Sequence, residues 1–198
     1  CGQVFVGGSG RSGTTVMGYL VGKHPQAWAT MPREIRMLTD KGGLLDLVMG
    51  PDASVLGTVA SGDRLFRVGK IRGHLRPGKL TLVWGMQAED LAAFIERMRG
   101  PWWHRIGPDG TPRGFHRGLV AQEYDDALNA FAEAFPLGER RAAIALVSDL
   151  LDPPARRQGA QLWCETTPDN AQHANRITEL LPQAKVIHMV RDGRDSCA

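Results

Sequence analysis

The sequence predicts an α/β fold of the P-loop type, three layers deep, with a central parallel sheet flanked by helices. Three observations predict it. Short apolar runs at residues 3–6, 161–165 and 184–190 read as buried strands. Helical stretches lie between them, and strands alternating with helices assemble into parallel sheets through right-handed crossovers. A polar cluster follows each run: Gly7–Thr15, Glu165–Thr167 and Arg191–Arg194. In an open parallel sheet, ligands bind beyond the carboxyl ends of the strands. The three clusters are therefore expected to meet at one site.

Each element has its own signal. "QVFV" (3–6) runs into glycines and reads as a buried strand. "SGTTVMGYLVGKHP" reads as a helix with Thr15, Met17, Leu20 and Val21 on one face, ended by His24-Pro25. A second helix is expected over Arg33–Met49, with Ile35, Leu38, Leu45 and Val48 as its apolar side. Residues 50–160 read as a mainly helical or irregular insertion on the acceptor side of a single domain spanning 1–198. They carry helices near 88–99, 121–135 and 139–151, and are punctuated by "GPDGTPRG" and "LDPPARRQG". "PWWHR" (101–105) suits an aromatic acceptor platform, core packing or a lid. "QLWCE" (161–165) is the next strand, "DNAQHANRITELL" (169–181) a helix that Asp169 can cap, and "AKVIHMV" (184–190) the last strand, with His188 packed inside. There is no internal repeat and no low-complexity tract.

Composition narrows the class. The 198 residues, 42% hydrophobic and 23% charged, are enough for one soluble globular core. No run approaches the ~20 apolar residues of a membrane helix. A cytoplasmic location is the expectation, while the opening Cys1 leaves room for a removed leader or anchor. Cys1, Cys164 and Cys197 lack metal-ligand spacing, so neither a disulfide framework nor a metal site is expected, and Cys164 reads as buried. A net charge of +3 is too small to argue for nucleic acid. Eleven Lys/Arg against four acids between Arg64 and Arg117 leave the rest of the chain acidic. That imbalance suits either a solvated face or a cationic surface over an anionic ligand.

The chemistry concentrates in "GGSGRSGTT" (7–15). Gly8 and Gly13 have the spacing of a nucleotide-binding P-loop, but Thr14 stands where the lysine belongs and Arg11 sits inside the loop. A glycine loop entering a helix turns backbone N–H groups and the positive helix end toward one point, which is an anion site. Ser12, Thr14 and Thr15 add hydroxyl donors, and Arg11 a fork for two anionic oxygens. Without the lysine a triphosphate is poorly served; a 5′-phosphate bearing one further anionic group fits better. A P-loop kinase or NTPase remains as the alternative, though no clear acid for Mg²⁺ follows the second strand, as does a catalytically inactive nucleotide-binding module.

These residues resemble the sulfotransferases that use 3′-phosphoadenosine 5′-phosphosulfate (PAPS). "GRSGTT" is similar to their 5′-phosphosulfate loop, "KVIHMVRDGRDS" to their 3′-phosphate motif, and "WCETTPDN" to the E-K-T-P segment of bacterial-type members. The resemblance covers about residues 3–38 and 161–198 and leaves the middle unmatched. It implies that Gly10, Arg11, Ser12, Gly13, Thr14 and Thr15 hold the 5′-phosphate and sulfuryl group, and that Arg191 binds the 3′-phosphate. The product would be 3′,5′-ADP. The acceptor would be a hydroxyl, less readily an amine, on a small molecule, lipid, carbohydrate or peptide, attacked in line without a metal. Glu34, in "MPREIR", is similar to the base of the E-x-R pattern in the tyrosylprotein branch, with Arg36 completing it; Glu165 is the second base candidate. Arg11 joins Glu34 and Glu165 as a catalytic residue. Thr166 stands where many relatives have Lys, which shifts charge stabilisation onto Arg11 or a residue of the middle region. The family's serine downstream of Arg191 falls just past Ala198, with Ser196 off the matching position, so an incomplete C-terminus is the expectation.

Overall fold

The computed structural model describes residues 1–50, 64–68, 71–76, 79–84 and 87–196. In chain order the elements are β1 (Gly2–Gly8), α1 (Thr14–Val21), β2 (Ala27–Ala29), α2 (Leu44–Met49), β3 (Arg64–Val68), β4 (Ile71–Arg76), β5 (Lys79–Trp84) and α3 (Gln87–Arg97). Then follow α4 (Ala121–Ala134), α5 (Glu139–Arg157), β6 (Leu162–Glu165), α6 (Ala174–Leu180), β7 (Lys185–Met189) and α7 (Gly193–Ser196). A π-helical turn, Met98–Trp102, extends α3, and a 3₁₀ turn, Pro168–Ala171, precedes α6.

The central sheet is all parallel, in the order β2-β6-β1-β7. β1 lies at its middle, with Phe5 opposite both Glu165 and Val186. Side chains of a strand alternate between faces, and two layers of helix use both. Trp163 and Glu165 point to the side of α5 and the 168–171 turn, where Trp163 Nε1 donates to Asp152 of α5 at 3.1 Å. Thr166 points to the other side, where α1 packs. Phe5 meets Trp163 edge-on at 5.3 Å between ring centres, both fully buried; such a pair adds about 0.5–1.5 kcal/mol beyond its buried area. One apolar core runs from this sheet through α2, α3, α4 and α5, joined by Phe94, Trp102 and Phe131.

The α/β fold with its parallel sheet and flanking helices is as the sequence predicts; several elements differ. The helix expected over 33–49 shortens to α2. Arg36 (φ 52°) and Gly42 (φ 69°) take left-handed backbone, and the chain folds back so that Leu44 and Leu45 N–H bond the carbonyls of Met37 and Leu38 at 2.7 and 3.1 Å. Ile35, Leu38 and Leu45 are buried as a helix would have buried them, so the pattern reported burial and not conformation. α1 turns a different face inward: Thr14 and Gly18 are buried, whereas Leu20 is 58% exposed. Gly18 sets that face, because a Cβ there would lie 2.3 Å from Thr166 Cγ2.

Residues 50–160, expected to be mainly helical or irregular, hold an antiparallel sheet, β3-β4-β5. Its strands carry Arg or Lys at close intervals, which reads as solvated loop. Residues 51–63 and the side chains of residues 64–87, among them six of the eleven Lys/Arg between Arg64 and Arg117, lie outside the described residues, and with them most of the expected cationic face. α5 continues through Pro153 and Pro154 to Arg157, since Leu151, Pro154 and Ala155 pack inward there. The helix at 169–181 divides into the 3₁₀ turn and α6, and Asp169, expected as a cap, lies inside the turn, where its carbonyl accepts from Gln172 and His173 N–H, while His173 takes the N-cap place of α6. His188 is exposed, on an edge strand, instead of packed. In "PWWHR", Trp102 is core and Trp103 packs on Tyr124 at 4.5 Å. Cys164 is buried, and burial, with Glu165 next to it, pushes its thiol pKa up to about 12.

Candidate functional site

The loop after β1 is shaped by what surrounds it. Gly7 lies so close to the 3₁₀ turn that a Cβ would fall 2.1 Å from the Ala171 nitrogen. The chain then bends through a turn closed by Ser12 N–H to the Ser9 carbonyl at 3.1 Å. Arg11 (φ 62°) and Gly13 (φ 98°) both take left-handed backbone, a conformation that costs most residues about 1 kcal/mol or more. The bend delivers α1 with no side-chain cap and no acid in its first turn. Its first N–H groups lack intrahelical acceptors and face out under the helix's positive end.

Two further observations fit that loop to an anion. The Ser12 hydroxyl is buried and has no hydrogen-bond partner among the described residues, a costly state that a bound acceptor relieves. Arg191, after β7, donates from Nη1 to the Arg11 carbonyl at 3.4 Å, so the second expected arginine is tied to the loop that carries the first. Asp192, the acid beside Arg191, is gripped instead by Arg194 at 2.7 Å. Gly10, Arg11 and Thr15 are exposed at the loop's outer side and Thr14 is buried. The side chain of Ser196 lies outside the described residues.

Glu165 is a hub. It is 1% exposed. Oε2 accepts from Thr167 N–H and Thr167 Oγ1, each at 2.8 Å, and Oε1 accepts from Asn170 Nδ2. Asn170 Nδ2 also donates to the Val6 carbonyl at 3.1 Å. Burial pushes the Glu165 pKa up to about 7, against the opposing pull of Thr167, Asn170 and the Ile35 amide. One carboxyl thus ties β6, β1, the 168–171 turn and segment 30–36 together.

Segment 30–36 crosses the carboxyl end of β6. Thr166 N–H donates to the Arg33 carbonyl at 2.8 Å, and Arg36 N–H to Thr167 Oγ1 at 3.3 Å. That places Glu34 and Arg36 beyond the same sheet edge as the glycine loop. Glu34 Oε2 accepts from Arg36 Nε and Nη2 at 3.2 and 3.0 Å. Burial lowers the Arg36 pKa, but Glu34, with Asp40 and Asp169 nearby, outweighs it and leaves it raised. Residues 105 and 118 close over this segment. Arg105 Nη2 donates to the Glu34 carbonyl at 2.8 Å, and a Cβ on Gly118 would fall 1.9 Å from the Met31 carbonyl oxygen.

The structure therefore gathers Arg11, Ser12, Arg191, Glu34 and Glu165 along one edge of the sheet. Sequence places Thr167 in the Glu165–Thr167 cluster and Arg105 in "PWWHR", but gives neither its contact, and it does not single out Asn170. Thr167 and Asn170 stand in the quoted "ETTPDN", where a buried carboxylate needs nearby donors; Arg105 carries no sequence signal beyond its charge. An apolar groove on α3 and α4, lined by Leu91, Ala92, Ile95 and Ala132, contains none of these residues.

Fold and site define an α/β protein with a glycine loop and an uncapped helix at the carboxyl edge of a parallel sheet. A family model described as the sulfotransferase family matches residues 87–198, over half of the chain, and the chain belongs to that family. The match takes in residues 87–160, which sequence reading left unnamed, and leaves out the glycine loop. No curated protein and no solved structure matches the chain. Among the described residues no helix is long and apolar enough to cross a membrane.

Proposed function

We propose that the protein transfers a sulfuryl group from PAPS to an acceptor hydroxyl. Family membership supports sulfotransfer as the activity; the observation that carries the donor is the loop itself, with an unpartnered buried Ser12 hydroxyl, an uncapped α1 and two guanidiniums in place of a P-loop lysine. Arg11, Ser12, Gly13, Thr14 and Thr15, with the backbone at Gly10, would hold the 5′-phosphosulfate, and Arg191 the 3′-phosphate. When bound, the donor supplies the sulfuryl group, and the 3′,5′-bisphosphate is the leaving group of an in-line displacement.

The chain's own residues divide the remaining work. Glu34 takes the acceptor's proton on Oε1, since Arg36 occupies Oε2; a positioned base contributes about 10²–10⁴-fold. Glu165 is a positioning residue, as its oxygens are engaged by Thr167 and Asn170. Thr166 faces α1 rather than the loop, so Arg11 carries the charge that a lysine at that position carries in relatives. Positioning and fixed charge supply most of the acceleration.

Calorimetric titration tests the reading. Tight binding of PAPS or 3′,5′-ADP without Mg²⁺, with ³⁵S transfer to hydroxylated acceptors, is expected. Tight binding of Mg²⁺-ATP in preference to 3′,5′-ADP overturns it.

A further inference from the structure

Arg105 reaches the Glu34 segment from the 101–105 turn, and among the described residues its donors are not all used. Nη2 bonds the Glu34 carbonyl at 2.8 Å and Nε the Arg113 carbonyl at 3.2 Å. Both partners are neutral. Among the described residues no carboxylate lies within ion-pair distance of it, although it is half-buried.

The charged groups around it are already committed. Glu34 holds Arg36 at 3.0 Å. Asp109 holds Arg113 at 2.8 Å. Asp40, also within electrostatic reach, accepts from Trp102 Nε1 at 3.4 Å. Burial first and the like charge of Arg36 second lower the Arg105 pKa, against the pull of Glu34 and Asp40. A partly desolvated guanidinium with a free donor nitrogen favours an oxyanion, for which charge-assisted, forked bonds are strong and directional.

Its place in the fold says which oxyanion. The glycine loop follows β1, and Arg191 follows the neighbouring β7. Glu34 and Arg105 lie instead toward β6 and β2, on the far side in the order β2-β6-β1-β7. We propose that Arg105 is an acceptor-side anion subsite, so that the hydroxyl to be sulfated belongs to a compound that also carries an oxyanion such as a carboxylate. This rests on the sulfotransferase reading for the hydroxyl, but not for the anion.

The test uses 4-hydroxyphenylacetate and its neutral analogue tyrosol, titrated with and without saturating 3′,5′-ADP. Calorimetry reads affinity, and the Arg105 Nε–Hε NMR resonance reads the site. The anion is expected to bind at least tenfold more tightly than tyrosol and to move that resonance. Arg105→Gln should cut the preference to under twofold, Arg105→Lys should keep part of it, and neither should change 3′,5′-ADP affinity. Equal binding of the two phenols, no binding of either, or an unchanged preference in Arg105→Gln overturns the proposal. So does a shift of the Arg105 resonance by 3′,5′-ADP alone, which would make the nucleotide the source of the anion. Failure of 3′,5′-ADP to bind overturns the donor reading instead, and the comparison without nucleotide still decides the subsite.

Discussion

The glycine loop after β1 and the helical stretch from α3 to α5 serve the same edge of the molecule by different means. The loop acts through backbone: Gly7 pressed on the 168–171 turn, left-handed Arg11 and Gly13, and a helix left uncapped. Few residue types satisfy such geometry, so nine residues suffice to suggest an anion. The helical stretch acts through packing, with Phe94, Trp102, Phe131 and Leu146 buried. Many apolar residues fill such a core, and no short motif betrays it. The family model nonetheless matches the helical stretch and not the loop. A motif short enough to read by eye and a match spread over a hundred residues are thus separate kinds of information, and here they meet at Arg105 and Gly118, which touch Glu34 and Met31.

Substitutions can break or sharpen that contrast. If the loop holds the donor, Arg11→Ala lowers sulfuryl transfer at least ~100-fold, and loss of a charge-assisted bond of roughly 1.5–3 kcal/mol weakens 3′,5′-ADP binding about 10–100-fold. Arg11→Gly suits the bend (φ 62°), so matched losses in both variants assign the effect to charge. Wild-type turnover in either would move donor binding out of the loop. Glu34→Gln should lower turnover at least about tenfold, with 3′,5′-ADP affinity unchanged by calorimetry; an unaltered rate would leave segment 30–36 with a structural part only.

Stability reports on the seam between the layers. Gly18→Ala should cost about 1–3 kcal/mol in urea denaturation, as overpacking does, and Thr166→Ser in the same chain should recover part of it by removing Cγ2. No recovery would mean that α1 is fixed by other contacts. The smallest effect is the pH dependence at Glu165. Its folded pKa of about 7 lies above the ordinary 4.5, so between those values the folded state binds more protons than the unfolded. Stability should therefore fall as pH rises through that window, with a slope approaching ~1.4 kcal/mol per pH unit, and should level off above it. Glu165→Gln should remove that slope, as read from urea midpoints across the pH series; an identical pH profile in the variant would show that the carboxyl is charged throughout.

Much of the site was legible because its residues sit at strand ends and its loop is built from Gly, Ser and Thr. The parallel sheet followed from apolar runs alternating with helices. What stayed hidden has physical causes. β2 has only the three residues Ala27–Ala29 and gives no period. Ile35, Leu38 and Leu45 keep helical spacing across a segment that two left-handed residues fold back on itself. The inner face of α1 is hidden because Gly18 and Thr14, not the larger Leu20, make the close approach. The partners of Glu165 lie two and five residues on, at a turn whose path only the tertiary structure fixes.

The contact between Gly18 and Thr166 also limits what position 166 can hold. The methyl group of residue 166 fills the hollow that the missing side chain on α1 leaves, and that residue is 2% exposed. A single codon change to lysine there would bury an ammonium group under a helix. Lysine at that position would require α1 to lift, so packing, before any chemistry, decides which side chains residue 166 can carry.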